Sequence, residues 1–239
     1  KQVDLLAERF AKAARTALVP LDAAGAAQRL FNVRVDELAP ASFTPENNGD
    51  FVVNDVGLDY LTLDRALPGT GEYVLYHGNL SVRENEEAAM WLLDNVFCRL
   101  KVPCIIAGLR PSEKLAKRVA ALPNVTLRAD LPDKEMRELI RQAQVNVLVT
   151  HQPTGLKLKL LNALYQGRHC VVNGDMVAGT PLGSLCTVAE DGPALVSAIE
   201  HLWFNPFTKE EVQRRQQAMS ALYDTKANAR KLMQFVFGR

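Results

Sequence analysis

The stretch "VNVLVTHQPTGLKLKLLNALYQGRHCVV", Val145–Val172, reads as strand, loop, helix and strand in that order. Val145 to Thr150 is an apolar run of strand length. Thr154 and Gly155 open a helical pattern carrying Lys157 and Lys159, and Gly167 with Arg168 ends it. A second short apolar run follows directly. Leu158, Leu161 and Leu164 can pack on a sheet, while Gly155 to Lys159 present amides and charge at its edge.

The same alternation extends to both sides. Upstream, "YVLYHG" predicts a buried strand from Tyr73 to Tyr76 ending in Gly78, and "NEEAAMWLLDNVFCRL" a helix with Ala88, Leu92, Val96 and Leu100 on one face. The strand "VPCIIAG" precedes the helix "SEKLAKRVAAL", with Ser112 as its N-cap. "NVTLRA" is a strand, and "PDKEMRELIRQA" a helix with Pro132 and Asp133 at its start. Downstream, "LCTVA" supplies a sixth strand and "GPALVSAIEHLW" a helix. Short strands alternating with helices make an α/β fold with a doubly wound, six-stranded parallel sheet. Their unbroken apolar character fits a sheet covered on both faces.

Three regions are expected. Residues 71–207 form the Rossmann-like domain. Residues 1–70 hold two helical patterns, "LLAERFAKAARTAL" and "DAAGAAQRLF", a strand-like "VRVDEL" and a Pro/Asn/Gly-rich linker "APASFTPENNGD". These are part of an N-terminal domain rather than a whole one. Residues 208–239 carry two helical patterns, the first opened by a capping box of Thr208 and Glu211.

Composition excludes several function classes. Net charge is +1, so no basic field suggests nucleic acid as a partner. No run of roughly 18 apolar residues predicts a membrane span, although peripheral association with a membrane stays open. Cys98, Cys104, Cys170 and Cys186 have no metal-ligand spacing and read as reduced core thiols, which points to the cytoplasm. No metal cofactor is expected.

In an open parallel sheet, ligands bind beyond the carboxyl ends of the strands. "HGNL" after the first strand lacks the glycine pattern of a dinucleotide fold. Gly78 can let backbone approach a ligand or can make a turn, and Asn79 can be a turn residue or a polar contact. His77 reads as a satisfied histidine at a strand end. Arg110 suits phosphate or stacking on a base, and Asp130 before Leu131 is commonly a cap. The fourth loop carries the strongest signal. A helix opening near Gly155 and Leu156 offers free amides and partial positive charge to an anion. Lysines in its first turn oppose the helix dipole, a cost that a bound anion would offset.

At these residues the sequence resembles the donor-binding domain of GT-B glycosyltransferases of the retaining, family 4-like group. "YVLYHGNLSVRENEEA" is similar to the start of that domain. "KLLNALYQGRHCVV" is similar to its Lys-Leu-Leu-Glu-Ala-Met-Ala-x-Gly-x-Pro-Val-Val run, with Lys159, Leu160, Leu161, Ala163, Gly167 and Val171 matching. The resemblance implies a nucleotide-sugar donor and a polysaccharide or lipid-linked acceptor, with a last helix, Thr225 to Phe237, crossing back to the first domain. It further implies donor-phosphate contacts from Thr154, Gly155, Leu156, Lys157 and Lys159. Sugar or ribose contacts would come from Asn162, Gly78 and Asn79, and base contacts from Arg110, Asp130 and Leu131. No side chain stands out as a catalytic base. The family's two glutamates fall on Thr154 and Asn162, which favours, as a second reading, a non-catalytic nucleotide-binding or scaffolding protein in polysaccharide assembly. An epimerase of the same architecture would need carboxylates that these loops lack.

Overall fold

The computed structural model describes residues 65–153 and 157–223. Up to Gln216 these belong to one compact unit, Asp64–Gln216. The helices, strand and linker expected before residue 65, the final helix from Thr225 to Phe237, and Thr154, Gly155 and Leu156 lie outside the described residues.

The elements are β1 (Val74–Gly78), α1 (Arg83–Asn95), β2 (Cys104–Gly108), α2 (Glu113–Ala120), β3 (Val125–Ala129), α3 (Asp133–Gln142) and β4 (Val145–Leu148). Then follow α4 (Leu158–Gln166), β5 (His169–Val172), α5 (Gly174–Val177), β6 (Thr187–Val188), α6 (Gly192–Trp203) and α7 (Lys209–Tyr223). The strands form one sheet in the order β3-β2-β1-β4-β5-β6, every neighbouring pair parallel. This is the doubly wound six-stranded sheet expected from the sequence. The chain winds outward from β1 to β3, returns to place β4 beside β1, and winds outward again. The order therefore reverses between β1 and β4, and a crevice opens there beyond the strand ends.

Burial explains the apolar runs. Every residue of β4 and β5 is buried, as is β1 up to His77, because helices cover both faces. The edge strands differ. In β3 only Val125 is buried, and both residues of β6 are exposed.

Several boundaries shift from expectation. β1 begins at Val74 and runs through Gly78. α1 stops at Asn95 because Val96 leaves helical geometry, at φ −124° and ψ −63°, and a 3-10 turn, Phe97–Arg99, follows. Ala88, Leu92, Val96 and Leu100 are nonetheless all buried. β6 is two residues rather than five, having a partner on one side only. α4 begins at Leu158 with Lys157 at the N-cap position, later than Thr154 and Gly155 suggest. Leu161 and Leu164 are buried as expected, but Leu158 is half-buried and Leu160 takes the deeper place.

The predicted caps are present. Ser112 Oγ accepts the Leu115 amide at 3.1 Å. At α7 the Thr208 amide donates to Glu211 Oε2 at 2.9 Å, and the Glu211 amide to Thr208 Oγ1 at 3.2 Å.

At the amino edge of the sheet, buried Gln144 joins three segments. Its Oε1 accepts the Gly71 amide at 2.6 Å, and its Nε2 donates to the Leu202 and Asn205 carbonyls, both at 2.8 Å. Beside it Gly69 and Phe207 pair as an antiparallel bridge. The carboxyl edge is equally close. Gly108 pairs with Gly78, and a Cβ on Gly108 would overlap the Gly78 carbonyl oxygen.

Candidate functional site

The site lies where β1 and β4 diverge, between the loop that follows Gly78 and the start of α4. Asn79 makes the turn after β1: its Oδ1 accepts the Ser81 amide at 3.1 Å and the Ser81 hydroxyl at 2.7 Å. Its carbonyl accepts Asn85 Nδ2 at 3.0 Å and the Val82 amide at 3.1 Å. Of the two readings left open for Asn79, the turn residue is what the geometry contains.

Asn85, which the sequence did not single out, is the hub. Besides holding Asn79, it packs against Gly78 and accepts Lys159 Nζ on its Oδ1 at 2.9 Å. Lys159 reaches it from the first turn of α4. The ammonium also lies 5.4 Å from the centroid of the Tyr76 ring, within the range of a cation–π contact. The Tyr76 hydroxyl donates to the Asn85 carbonyl at 2.8 Å. Gly78, Asn79 and Lys159, predicted separately, thus converge on one neutral amide.

The electrostatics follow from that company. Burial, with the Lys157 charge adding to it, lowers Lys159 from 10.5 to about 8. Among the described residues no carboxylate pairs with it. Lys157 is also lowered, mainly by burial, with the Asp175 carboxylate working the other way. His77 departs from expectation. It is buried, and its Nε2 has no hydrogen-bond partner. Burial and the Lys159 charge lower its pKa to about 3, which keeps the imidazole neutral. Asn162, one turn beyond Lys159, is half-buried, with its Oδ1 enclosed and without a partner.

The second predicted group forms at the ends of β2 and β3. Asp130 Oδ1 accepts the Arg110 backbone amide at 2.8 Å, and the Asp130 amide donates to the Gly108 carbonyl at 3.0 Å. Asp130 is therefore not the cap of α3, whose N-cap residue is Pro132. Both residues sit at positive φ, 48° for Arg110 and 53° for Asp130. Such a conformation costs non-glycine residues about 1 kcal/mol or more and gathers at binding loops. Both side chains are exposed and Leu131 is half-buried beside them.

On the β4 side, Asn173 fixes the loop. Its Nδ2 donates to the Thr150 carbonyl at 2.6 Å, and its Oδ1 accepts the Thr150 amide at 3.1 Å. Thr150 Oγ1 in turn accepts the Gln152 amide at 3.2 Å. This holds the stretch before Thr154, Gly155 and Leu156, whose own contacts are outside the described residues. Among the described residues, no group of three or more His, Cys, Asp or Glu side chains comes together, and no helix is long and apolar enough to cross a membrane.

Comparison with known proteins agrees with the fold. No curated protein sequence matches the chain. Among solved structures, a glycosyltransferase from Rickettsia africae is similar, with a TM-score of 0.56 at 11% identity over 71% of this chain and 48% of that one. TarM of S. aureus, in complex with fondaparinux, alpha-GlcNAc-glycerol and UDP, gives 0.54 at 13% identity over 73% and 37%. HepE of Anabaena, in complex with UDP and glucose, gives 0.52 at 11% identity over 71% and 49%. At these identities the likeness is one of fold, and the chain spans less than half the length of each. Residues 71–205, more than half of the sequence, match the family described as glycosyl transferases group 1, and the chain belongs to that family.

Proposed function

We propose that the protein moves a sugar from a nucleotide-sugar donor to a polysaccharide or lipid-linked acceptor, with the donor held at the β1/β4 crevice. One observation carries this: the ammonium of Lys159, half-buried at the switch point of the sheet, is held by a neutral amide and an aromatic ring, and among the described residues no carboxylate pairs with it. A buried cation without an anion is costly, and a diphosphate supplies the missing charge. When the sugar leaves, negative charge grows on that diphosphate, and fixed positive groups stabilise it in the transition state.

In this reading Lys157, Lys159 and the backbone around Thr154, Gly155 and Leu156 take the phosphates without a metal ion. Asn162 takes a hydroxyl of the ribose or sugar, which gives its enclosed oxygen a partner. Gly78 and Asn79 form the floor, and Arg110, Asp130 and Leu131 hold the base. Retention of configuration and a cytoplasmic setting belong to the proposal on the strength of the resemblance and of four unpaired thiols. Titration of nucleoside diphosphates into the full-length protein tests it. Lys157→Ala and Lys159→Ala are each expected to weaken binding at least tenfold, and unchanged affinity in both variants defeats the phosphate assignment.

The second reading, nucleotide binding without transfer, is favoured by Thr154 and Asn162 at positions where the family carries glutamates. Donor hydrolysis by the intact protein eliminates it.

A further inference from the structure

Where β5 ends, Asn173 stands at the N-cap position of α5 and leaves that helix uncapped by its side chain. An asparagine in this position ordinarily turns its oxygen onto the first free amides of its own helix. Here the whole side-chain amide is turned toward β4 instead. Its Oδ1 accepts the Thr150 amide and its Nδ2 donates to the Thr150 carbonyl, at 3.1 and 2.6 Å. The backbone pairing of β4 with β5 stops at Leu148 and Val172. Asn173 thus gives Thr150, from one side chain, the two bonds that a continuing partner strand would have given it.

The helix is looked after by another residue. Glu190, just past β6, accepts the Gly174 amide on Oε2 at 3.3 Å. Gly174 makes room for it, since a Cβ there would lie 2.7 Å from Glu190 Oε1. An aspartate at position 173 would cap α5 at least as well and would add favourable charge at its N-terminus. What asparagine alone offers is a donor and an acceptor on one short neutral side chain, and Thr150 uses both. Helix capping does not account for the residue; the loop after β4 does.

That loop is held at two further points. Thr150 Oγ1 accepts the Gln152 amide at 3.2 Å, and the His151 ring meets Trp91 of α1 edge-on, with centroids 6.2 Å apart. None of the three holds is made by a carboxylate. The loop leads to α4, with Lys157 at its N-cap position and Lys159 in its first turn.

We propose that Asn173 is a positioning residue of the donor site: its amide sets the path by which the chain leaves β4, and with it the fit of the diphosphate against Lys157 and Lys159. The inference rests on the donor reading above and adds a residue that acts through the Thr150 backbone without touching the donor. Exchanging the amide for a carboxylate of the same shape reverses one bond. An oxygen then faces the Thr150 carbonyl, the two repel, the side chain turns to cap α5, and the loop is released.

The test is Asn173→Asp in the full-length protein. Whichever of UDP, ADP and GDP the parent binds most tightly by calorimetry should bind the variant roughly tenfold more weakly. Its melting temperature should stay level with that of the parent. Hydrogen exchange should quicken at the amides of Thr150 to Gln152 and stay unchanged in β1 and α1. Asn173→Ala removes both bonds without the repulsion, and its affinity should fall between the two. If Asn173→Asp does not fold, Asn173→Ala is judged by the same readouts. Glu190→Ala removes only the contact to α5 and should leave nucleotide affinity unchanged. Full affinity in Asn173→Asp overturns the inference, and so does an equal loss of affinity in Glu190→Ala. Faster exchange spread through β4 and β5 overturns it as well, because the residue would then hold the sheet rather than the loop. A parent chain that binds none of the three nucleotides defeats the donor reading, and this inference with it; a parent and an Asn173→Asp variant that bind alike defeat this inference alone.

Discussion

Filling the crevice with a diphosphate should return Lys159 to its ordinary protonation, and the consequence can be worked out in advance. In the free protein its pKa is about 8 instead of 10.5. A bound dianion beside it opposes the desolvation that lowered it. Full restoration is worth about 3.4 kcal/mol, at 1.36 kcal/mol per pH unit. The sign follows from proton counting. Below about pH 7 the amine is protonated with and without ligand, so affinity is flat. Between pH 8 and 10.5 the free protein has released a proton that the complex retains. Binding there takes up a proton, and affinity falls as pH rises, reaching a loss of roughly 30-fold at pH 9.5 relative to pH 7. Isothermal titration of UDP and other nucleoside diphosphates, at pH 9 in two buffers of different ionisation enthalpy, reads the uptake directly. Lys159→Met should bind weakly and lose this dependence. The same variant should be more stable than the parent at neutral pH, by about 1–2 kcal/mol after the loss of the Asn85 hydrogen bond is set against the removed charge. A wild-type affinity that is level from pH 7 to 9.5, with no proton uptake, refutes the placement of the diphosphate on Lys159.

Other perturbations probe the surroundings. Asn85→Ala should free both Lys159 and the Asn79 turn; stability read by urea titration should fall by about 1–2 kcal/mol, and calorimetry should show weaker donor binding. Neutral His77 must gain a proton to match its unfolded state as pH falls from 6.5 to about 3. Stability, read by urea titration, should therefore decline across that window by up to about 1.4 kcal/mol per unit, and His77→Phe should remove that share of the slope. Gly108→Ala forces a Cβ into the Gly78 carbonyl, and soluble yield or melting temperature should drop sharply. Arg110→Gly relieves a positive φ and should stabilise the fold by up to about 1 kcal/mol, while base discrimination among nucleotides is reduced.

The interior of the sheet was legible because both its faces are covered. β1, β2, β4 and β5 appear in the sequence as short, largely apolar runs of strand length between helical patterns. Caps made by a single hydroxyl or carboxylate, Ser112 and the Thr208–Glu211 pair, were legible for the same reason: the chemistry is local. The start of α4 was not, since Thr154 and Gly155 imitate a cap, while Lys157 takes the position without any side-chain bond. His77 misled because a satisfied and an unsatisfied imidazole have the same letter, and only burial tells them apart. Asn85 was invisible for a deeper reason. A search for charge to match phosphate passes over a neutral amide, yet that amide is what joins Lys159 to the β1 turn. Asp130 looked like a helix cap because its real partner, the Arg110 amide, is 20 residues away.

The Gly69–Phe207 bridge and the Gln144 clasp bring the chain's way in and its way out to one spot, on the edge of the sheet opposite the ligand loops. A unit closed in that way is a cassette. Its two ends can be joined to each other by a short linker and new ends opened in a surface turn, without disturbing the strand order or the crevice. The same closure lets such a unit be carried within a longer polypeptide, as a guest whose host can change length and sequence while the crevice edge stays as it is.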